Sequence, residues 1–201
     1  MIKSSLFLCL LSVLLVSCNK TFDKPQEMAE FIADPDNGYC YTKKAGGVDY
    51  TLQYRPTDLL VEQEIGQNPK PGTIEQTRKK YEKYLYFNLS MAMNKKELLN
   101  NLAADKERFG QMLSELSFGM DQKIHLYTAT KDTIAMSDFS YPRMFGISDA
   151  TTILVAYPRD EKYMNEKYMD FTIEDLGLYT GEIKFRIDMS KLRTEPQLRF
   201  K

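Results

Sequence analysis

Tyr84-Leu85-Tyr86-Phe87-Asn88-Leu89-Ser90-Met91-Ala92-Met93 alternates without a break: Leu85, Phe87, Leu89, Met91 and Met93 fall on one side of an extended chain, and Tyr84, Tyr86, Asn88, Ser90 and Ala92 on the other. Successive side chains of a strand point to opposite faces, so a period of two with one apolar set reads as a β-strand that buries one face. The same period recurs on both sides of this segment. Upstream, Tyr50, Leu52 and Tyr54 alternate with Thr51, Gln53 and Arg55 until Pro56 ends the run. Ala45-Gly46-Gly47, just before Val48, reads as a hairpin turn feeding that strand, because neither the lysine nor the helix of a phosphate loop follows it.

Downstream, alternation returns at Ile124 to Thr128, at Ile153, Val155 and Tyr157 before Pro158, and at Met169, Phe171 and Ile173. A final run sets Ile183, Phe185, Ile187 and Met189 against Lys184, Arg186 and Asp188. Polar residues opposite apolar ones suit antiparallel sheets with one face in water. The expected fold is therefore mainly β, an antiparallel β-sandwich, with Phe87, Leu89, Ile153, Val155, Phe185 and Ile187 in its core.

One stretch breaks the rhythm. Asn94 followed by Glu97 reads as a helix N-cap with its reciprocal partner, and Leu98, Leu99, Leu102, Phe109, Met112, Leu113 and Leu116 recur at helical spacing. A single inserted amphipathic helix over 95–116 is expected, with its apolar stripe on the sheet.

The N-terminus has a different character. Lys3 precedes an apolar run from Leu6 to Val16 that ends at Ser17-Cys18. A charged start, a short apolar stretch and a small residue before a cleavage point make a secretory signal, and the run is shorter than the roughly 20 residues a membrane-spanning helix needs. Leu15-Val16-Ser17-Cys18 resembles the lipobox of bacterial lipoproteins. That resemblance covers the signal segment alone. It implies cleavage before Cys18, a diacylglyceryl group on the Cys18 thiol, usually a further acyl chain on the new amino group, and hence a lipid anchor that is close to permanent. The expected organisation is a signal peptide over 1–17, a lipidated N-terminus and tether over 18–37, and a single β-rich domain over 38–201. The tether is polar, with Pro25 and Pro35, and its small apolar patch at Met28, Phe31 and Ile32 leaves room for one helical turn to dock on the domain. Acidic residues after a lipidated Cys direct surface display in some bacteria; here Asn19-Lys20-Thr21 follows, which favours a periplasm-facing anchor.

Composition narrows the function. The 201 residues carry 27 Lys and Arg against 28 Asp and Glu, which leaves no basic footprint for nucleic acid. With Cys18 committed to lipid and Cys9 in the signal, Cys40 is the remaining thiol, so no intrachain disulfide is expected. His125 is the single histidine, which excludes a structural zinc set and leaves Cys40 with His125 as the one conceivable nucleophile pair. Alternation places His125 opposite Ile124 and Leu126, beside Tyr127, as an ordinary surface histidine. Asp34-Pro35-Asp36-Asn37-Gly38 lacks the spacing and the terminal Glu of a calcium loop and reads as a turn. Glu174-Asp175 and Asp160-Glu161 flank turns, where charge is solvated by default. No catalytic, metal-binding or cofactor-binding residue stands out, and the 13 tyrosines suit either packing or a binding face.

Three classes of function follow. The favoured one is a non-catalytic binding or assembly component of an envelope complex, anchored through lipid at Cys18 and partnered by other envelope proteins. The second is a small-ligand or glycan binder using its tyrosines. The third is a glycoside hydrolase, since two facing carboxylates are the one catalytic set a single-histidine chain still offers. In layout alone, a short lipoprotein followed by a sandwich resembles the outer-membrane lipoprotein of type VI secretion machines.

Overall fold

The computed structural model describes residues 19–66, 70 and 72–200. Cys18 and the signal segment lie outside the described residues. In chain order the elements are β1 (Thr21–Phe22), α1 (Pro25–Ala33), a 3-10 turn (Pro35–Asn37), β2 (Cys40–Ala45), β3 (Val48–Arg55), α2 (Thr57–Ile65), α3 (Thr73–Tyr81) and β4 (Tyr84–Met93). There follow α4 (Leu98–Asn101), α5 (Lys106–Ser114), β5 (Ile124–Tyr127), β6 (Thr133–Ile134), β7 (Asp138–Ser140) and β8 (Thr151–Pro158). The chain closes with α6 (Glu161–Met164), β9 (Tyr168–Ile173), β10 (Ile183–Asp188), α7 (Met189–Arg193) and β11 (Gln197–Leu198).

The chain is mainly β with antiparallel sheets. A five-stranded sheet has the order β2-β3-β4-β8-β7 and a four-stranded sheet the order β10-β9-β5-β6. The quoted strand, β4, is central in the first: Leu89 lies between Leu52 and Ile153, and Phe87 between Tyr54 and Val155. Leu85, Phe87, Leu89 and Met91 are buried as the alternation requires, with Met93 half-buried at the strand end, and Ile153, Val155, Phe185 and Ile187 are buried too. The two sheets meet through aromatic rings. Phe87 of β4 and Tyr157 of β8 approach Phe171 of β9 at centroid distances of 6.1 and 6.4 Å. Full burial of one such ring contributes about 1.5–3 kcal/mol. The hairpin at Gly46-Gly47 is present between β2 and β3, with φ of 55° and 78°, the left-handed values a tight two-residue turn demands.

Two expectations fail, and a third falls short in extent. The helix over 95–116 is not continuous. Asn94 and Lys95 have φ of 55° and 57° and form a tight turn, closed by reciprocal hydrogen bonds between Met93 and Lys96. Asp105 then starts a second helix, its carboxylate accepting from the Arg108 amide. A carboxylate this close to free amide groups stabilises a new N-terminus better than it tolerates a helix interior. The fold also holds more than one helix. α2 and α3 pack against each other between β3 and β4, and Pro56-Thr57-Asp58 ahead of Leu59, Leu60 and Val61 was a start signal for α2.

The third difference concerns the tether. Residues 21–33 belong to the folded unit: β1 pairs in parallel with β11, and α1 buries Met28 and Ile32 completely. Met28 and Ile32 are one helical turn apart and so share a face, and the docked helix is longer than the single turn their patch suggested. Phe22, Phe31, Tyr39 and Tyr54 then continue as a chain of ring contacts at 5.3, 5.9 and 6.3 Å into the core.

Candidate functional site

The pairing register defines two poles. Ala45, Val48, Met93 and Thr151 end their strands together at one of them. Arg55, Tyr84 and Pro158 lie at the other, roughly 33 Å away for a strand the length of β4. The N-terminal segment enters at this second pole. β1 lies on β11, and β11 is tied to α2 by the Leu198 amide, which donates to Asp58 at 2.9 Å.

Among the described residues, the large apolar side chains that stand out in solvent lie at the opposite pole. These are Phe118, Met144, Phe145, Ile147 and Tyr179. Phe118 lies between β4 and β5, the central three between β7 and β8, and Tyr179 between β9 and β10. Tyr179 is placed there because its carbonyl and those around it abut the Gly46 hairpin. Scattered exposed apolar residues need no explanation, whereas several gathered at one end of a domain mark a surface that is covered in use.

The central segment is built to present its side chains. Ile147 donates its amide to the Met144 carbonyl at 3.1 Å, and Phe145 and Gly146 between them have φ of 52° and 83°, the signs of a type I′ turn. Phenylalanine in that region is strained, and strain of this kind persists only where the surroundings enforce it. Here they do. The Gly146 amide donates to Oε2 of Glu97 at 3.2 Å, and Glu97 is buried at 2% exposure. Arg143 stacks over Phe145 and over Phe109 of α5, 4.6 and 5.8 Å from the ring centres. Phe145 and Ile147 remain 75% and 84% exposed on this pinned turn. The other Glu97 carboxylate oxygen and the Tyr141 hydroxyl are buried without a hydrogen-bond partner in the structure.

Sequence reasoning missed this surface. Met144-Phe145-Gly146-Ile147 follows Pro142 and has no period, so nothing in it separates a displayed turn from a buried one. Its one legible signal is an apolar Phe before Gly with no strand pattern around it.

The residues singled out from the sequence are not brought together. Cys40 lies on edge strand β2 of the larger sheet and His125 on β5 of the other, and they share no hydrogen bond. Burial pushes the Cys40 thiol above its ordinary pKa, a shift that favours the thiol over the thiolate. His125 contacts Glu174 through Nε2 at 3.1 Å and lies beside Tyr127, as its alternation required. Glu174 also accepts from Lys123, and hydrogen bonds from His125 and Lys123 lower its carboxyl. Asp160 caps α6, and Asp175 accepts from the amides of Leu178 and Gly181. Asp34 accepts from the Asp36 amide and Gly38 has φ of 78°, a turn as expected. Tyr39, Tyr50, Tyr54 and Tyr157 are buried in the core.

A second polar set lies at the N-terminal pole. Glu195 accepts from the Tyr54 hydroxyl at 2.7 Å, the Thr57 amide at 3.0 Å and the Thr57 hydroxyl at 3.1 Å, and pairs with Arg159 at 2.9 Å. Burial first, and then the negative charge of Glu195, push Tyr54 well above its ordinary value, so its hydroxyl stays a donor. Asp58 accepts from Arg78 and from the Leu198 amide. These carboxylates border a cavity of about 260 Å³. Each is already engaged in fixing the C-terminal segment, an arrangement that suits a clamp rather than an acid and base facing a substrate.

Compared with protein-family models, curated proteins and solved structures, the chain matches none of them.

Proposed function

We propose that this protein is a lipid-anchored bacterial envelope component, held at the membrane through Cys18, facing the periplasm and assembling with another envelope protein through the pole that carries Phe145 and Ile147. The observation that carries this reading is the segregation of the exposed apolar residues to the pole opposite the one that receives the N-terminus. An anchor at one end and a contact surface at the other is the arrangement a tethered assembly component needs. A turn already held in its display conformation loses little conformational freedom on docking, and this favours association. On the same reading the two antiparallel sheets are the layers of a β-sandwich, which is supported by the Phe87, Tyr157 and Phe171 ring contacts between them.

The anchor is tested by labelled palmitate: the chain incorporates it and partitions into Triton X-114, and Cys18→Ser loses both properties. Retention of both by the variant overturns the anchor. The contact surface is tested by a photocrosslinker at position 145 in intact cells. One discrete adduct with an envelope protein is expected, abolished by Ile147→Ser while thermal stability is unchanged. Absence of any adduct, or an adduct insensitive to the substitution, overturns it.

A further inference from the structure

On the outer face of the four-stranded sheet, one carboxylate gathers three cations. Asp170 of β9 has no exposed side-chain surface. Its Oδ2 is contacted by Lys131 Nζ at 2.9 Å, Lys184 Nζ at 2.6 Å and an Arg186 terminal nitrogen at 3.2 Å, while Oδ1 accepts from Arg186 Nε at 2.9 Å. All three cationic groups touch the same oxygen, so no two of them are more than about 6 Å apart. Arg186 is further fixed by the Tyr168 ring, 3.8 Å from its guanidinium carbon.

A buried carboxylate is satisfied by one arginine bonded through two nitrogens. Arg186 supplies that, yet two lysines converge on the same group and leave about two positive charges over. Holding three like charges so close is unfavourable unless a further anion is present. The accessibilities are divided in the same sense: Asp170 is covered, while the Lys131, Lys184 and Arg186 side chains are 62%, 39% and 56% exposed. Each ammonium has two donors left after serving Asp170. On the same face, next to Lys184 in the ladder, the Thr172 hydroxyl is buried at 3% residue exposure and has no partner in the structure. Beside Lys184 and Arg186 a groove of about 510 Å³ opens between the edge strands β2 and β10, with Phe185 and Cys40 among its lining.

We propose that Lys131, Lys184 and Arg186, positioned by Asp170, form a binding site for a phosphate group on a larger ligand, whose remainder lies along the β2–β10 groove. The site is independent of the apolar pole and of the lipid anchor.

The test is titration of the purified chain with inorganic phosphate and pyrophosphate, followed by the amide shifts of residues 170–172 and 184–186, and sedimentation with phosphatidylglycerol against phosphatidylcholine vesicles. Saturable binding of the free phosphates, weakened about tenfold by Lys184→Met and restored by Lys184→Arg, is expected for a soluble ligand. Binding confined to phosphatidylglycerol vesicles with the same sensitivity identifies a lipid headgroup as the source. Lys131→Met serves as the second variant, because its exposed side chain leaves folding intact. No binding of any probe at millimolar concentration, or binding unaltered in both methionine variants, overturns the site.

Discussion

The amide of Gly146 is hydrogen bonded at 3.2 Å to Glu97, a buried carboxylate nearly fifty positions earlier in the chain. This one contact joins the end of the central strand to the displayed turn. Glu97→Ala is expected to cost about 1 kcal/mol, the net contribution of one hydrogen bond whose donor regains water once the acceptor is gone. It should also release the turn. Hydrogen exchange at the Gly146 amide should rise far more than at Leu89. Unchanged protection at Gly146 would show that the turn is held by something else.

Phe87→Ala tests the seam between the sheets. Its ring is fully buried and touches both Tyr54 and Phe171. Lost transfer energy and the cavity left behind are expected to cost about 3–5 kcal/mol in a denaturant titration. Phe145→Ser, on an exposed ring, should stay within about 0.5 kcal/mol of the parent. Comparable losses in the two variants would contradict the partition between core and surface.

Glu195→Ala tests the clamp at the N-terminal pole. Arg159 is mostly buried and keeps its charge because Tyr54 and Glu195 offset its burial. Without Glu195 that charge is stranded, at an expected cost of about 3–5 kcal/mol. Limited proteolysis should cut first after residue 193, where β11 is freed from β1 and α2. A variant as resistant as the parent would exclude the clamp.

Acid titration reports on Asp170. Burial works against its ionisation, but hydrogen bonds from Arg186, Lys184 and Lys131 outweigh it and hold the carboxyl well below the usual carboxylate range. A carboxylate depressed in the folded state contributes stability that is complete above its unfolded pKa, near 4, and is lost as pH falls toward the folded value. The denaturation midpoint should therefore decline from about pH 5 downward. Asp170→Asn should show a shallower decline over the same range. Parallel acid limbs for parent and variant would remove Asp170 from the account.

Strand positions and their buried faces were legible because the period of two is a local property: Leu85, Phe87, Leu89 and Met91 need no knowledge of the rest of the chain to declare a face. The Gly46-Gly47 hairpin was legible for the same reason, since its conformation is written in the residues that adopt it. The broken helix, the extent of the N-terminal docking and the candidate sites were not. α4 stops at Asn101 and Asp105 begins another helix by a competition of a few tenths to about 1 kcal/mol, below what spacing alone resolves. Met28 and Ile32 look like a minor patch until the core offers them a place.

The sequence by itself determined the alternating strands and their buried faces. Tertiary structure alone decided that Glu97 meets Gly146, that Asp170 gathers Lys131, Lys184 and Arg186, and that the exposed apolar residues share a pole. The physical reason is range. Backbone alternation is set by neighbours in the chain, whereas charge clustering and surface segregation arise only when the sheets bring distant segments together.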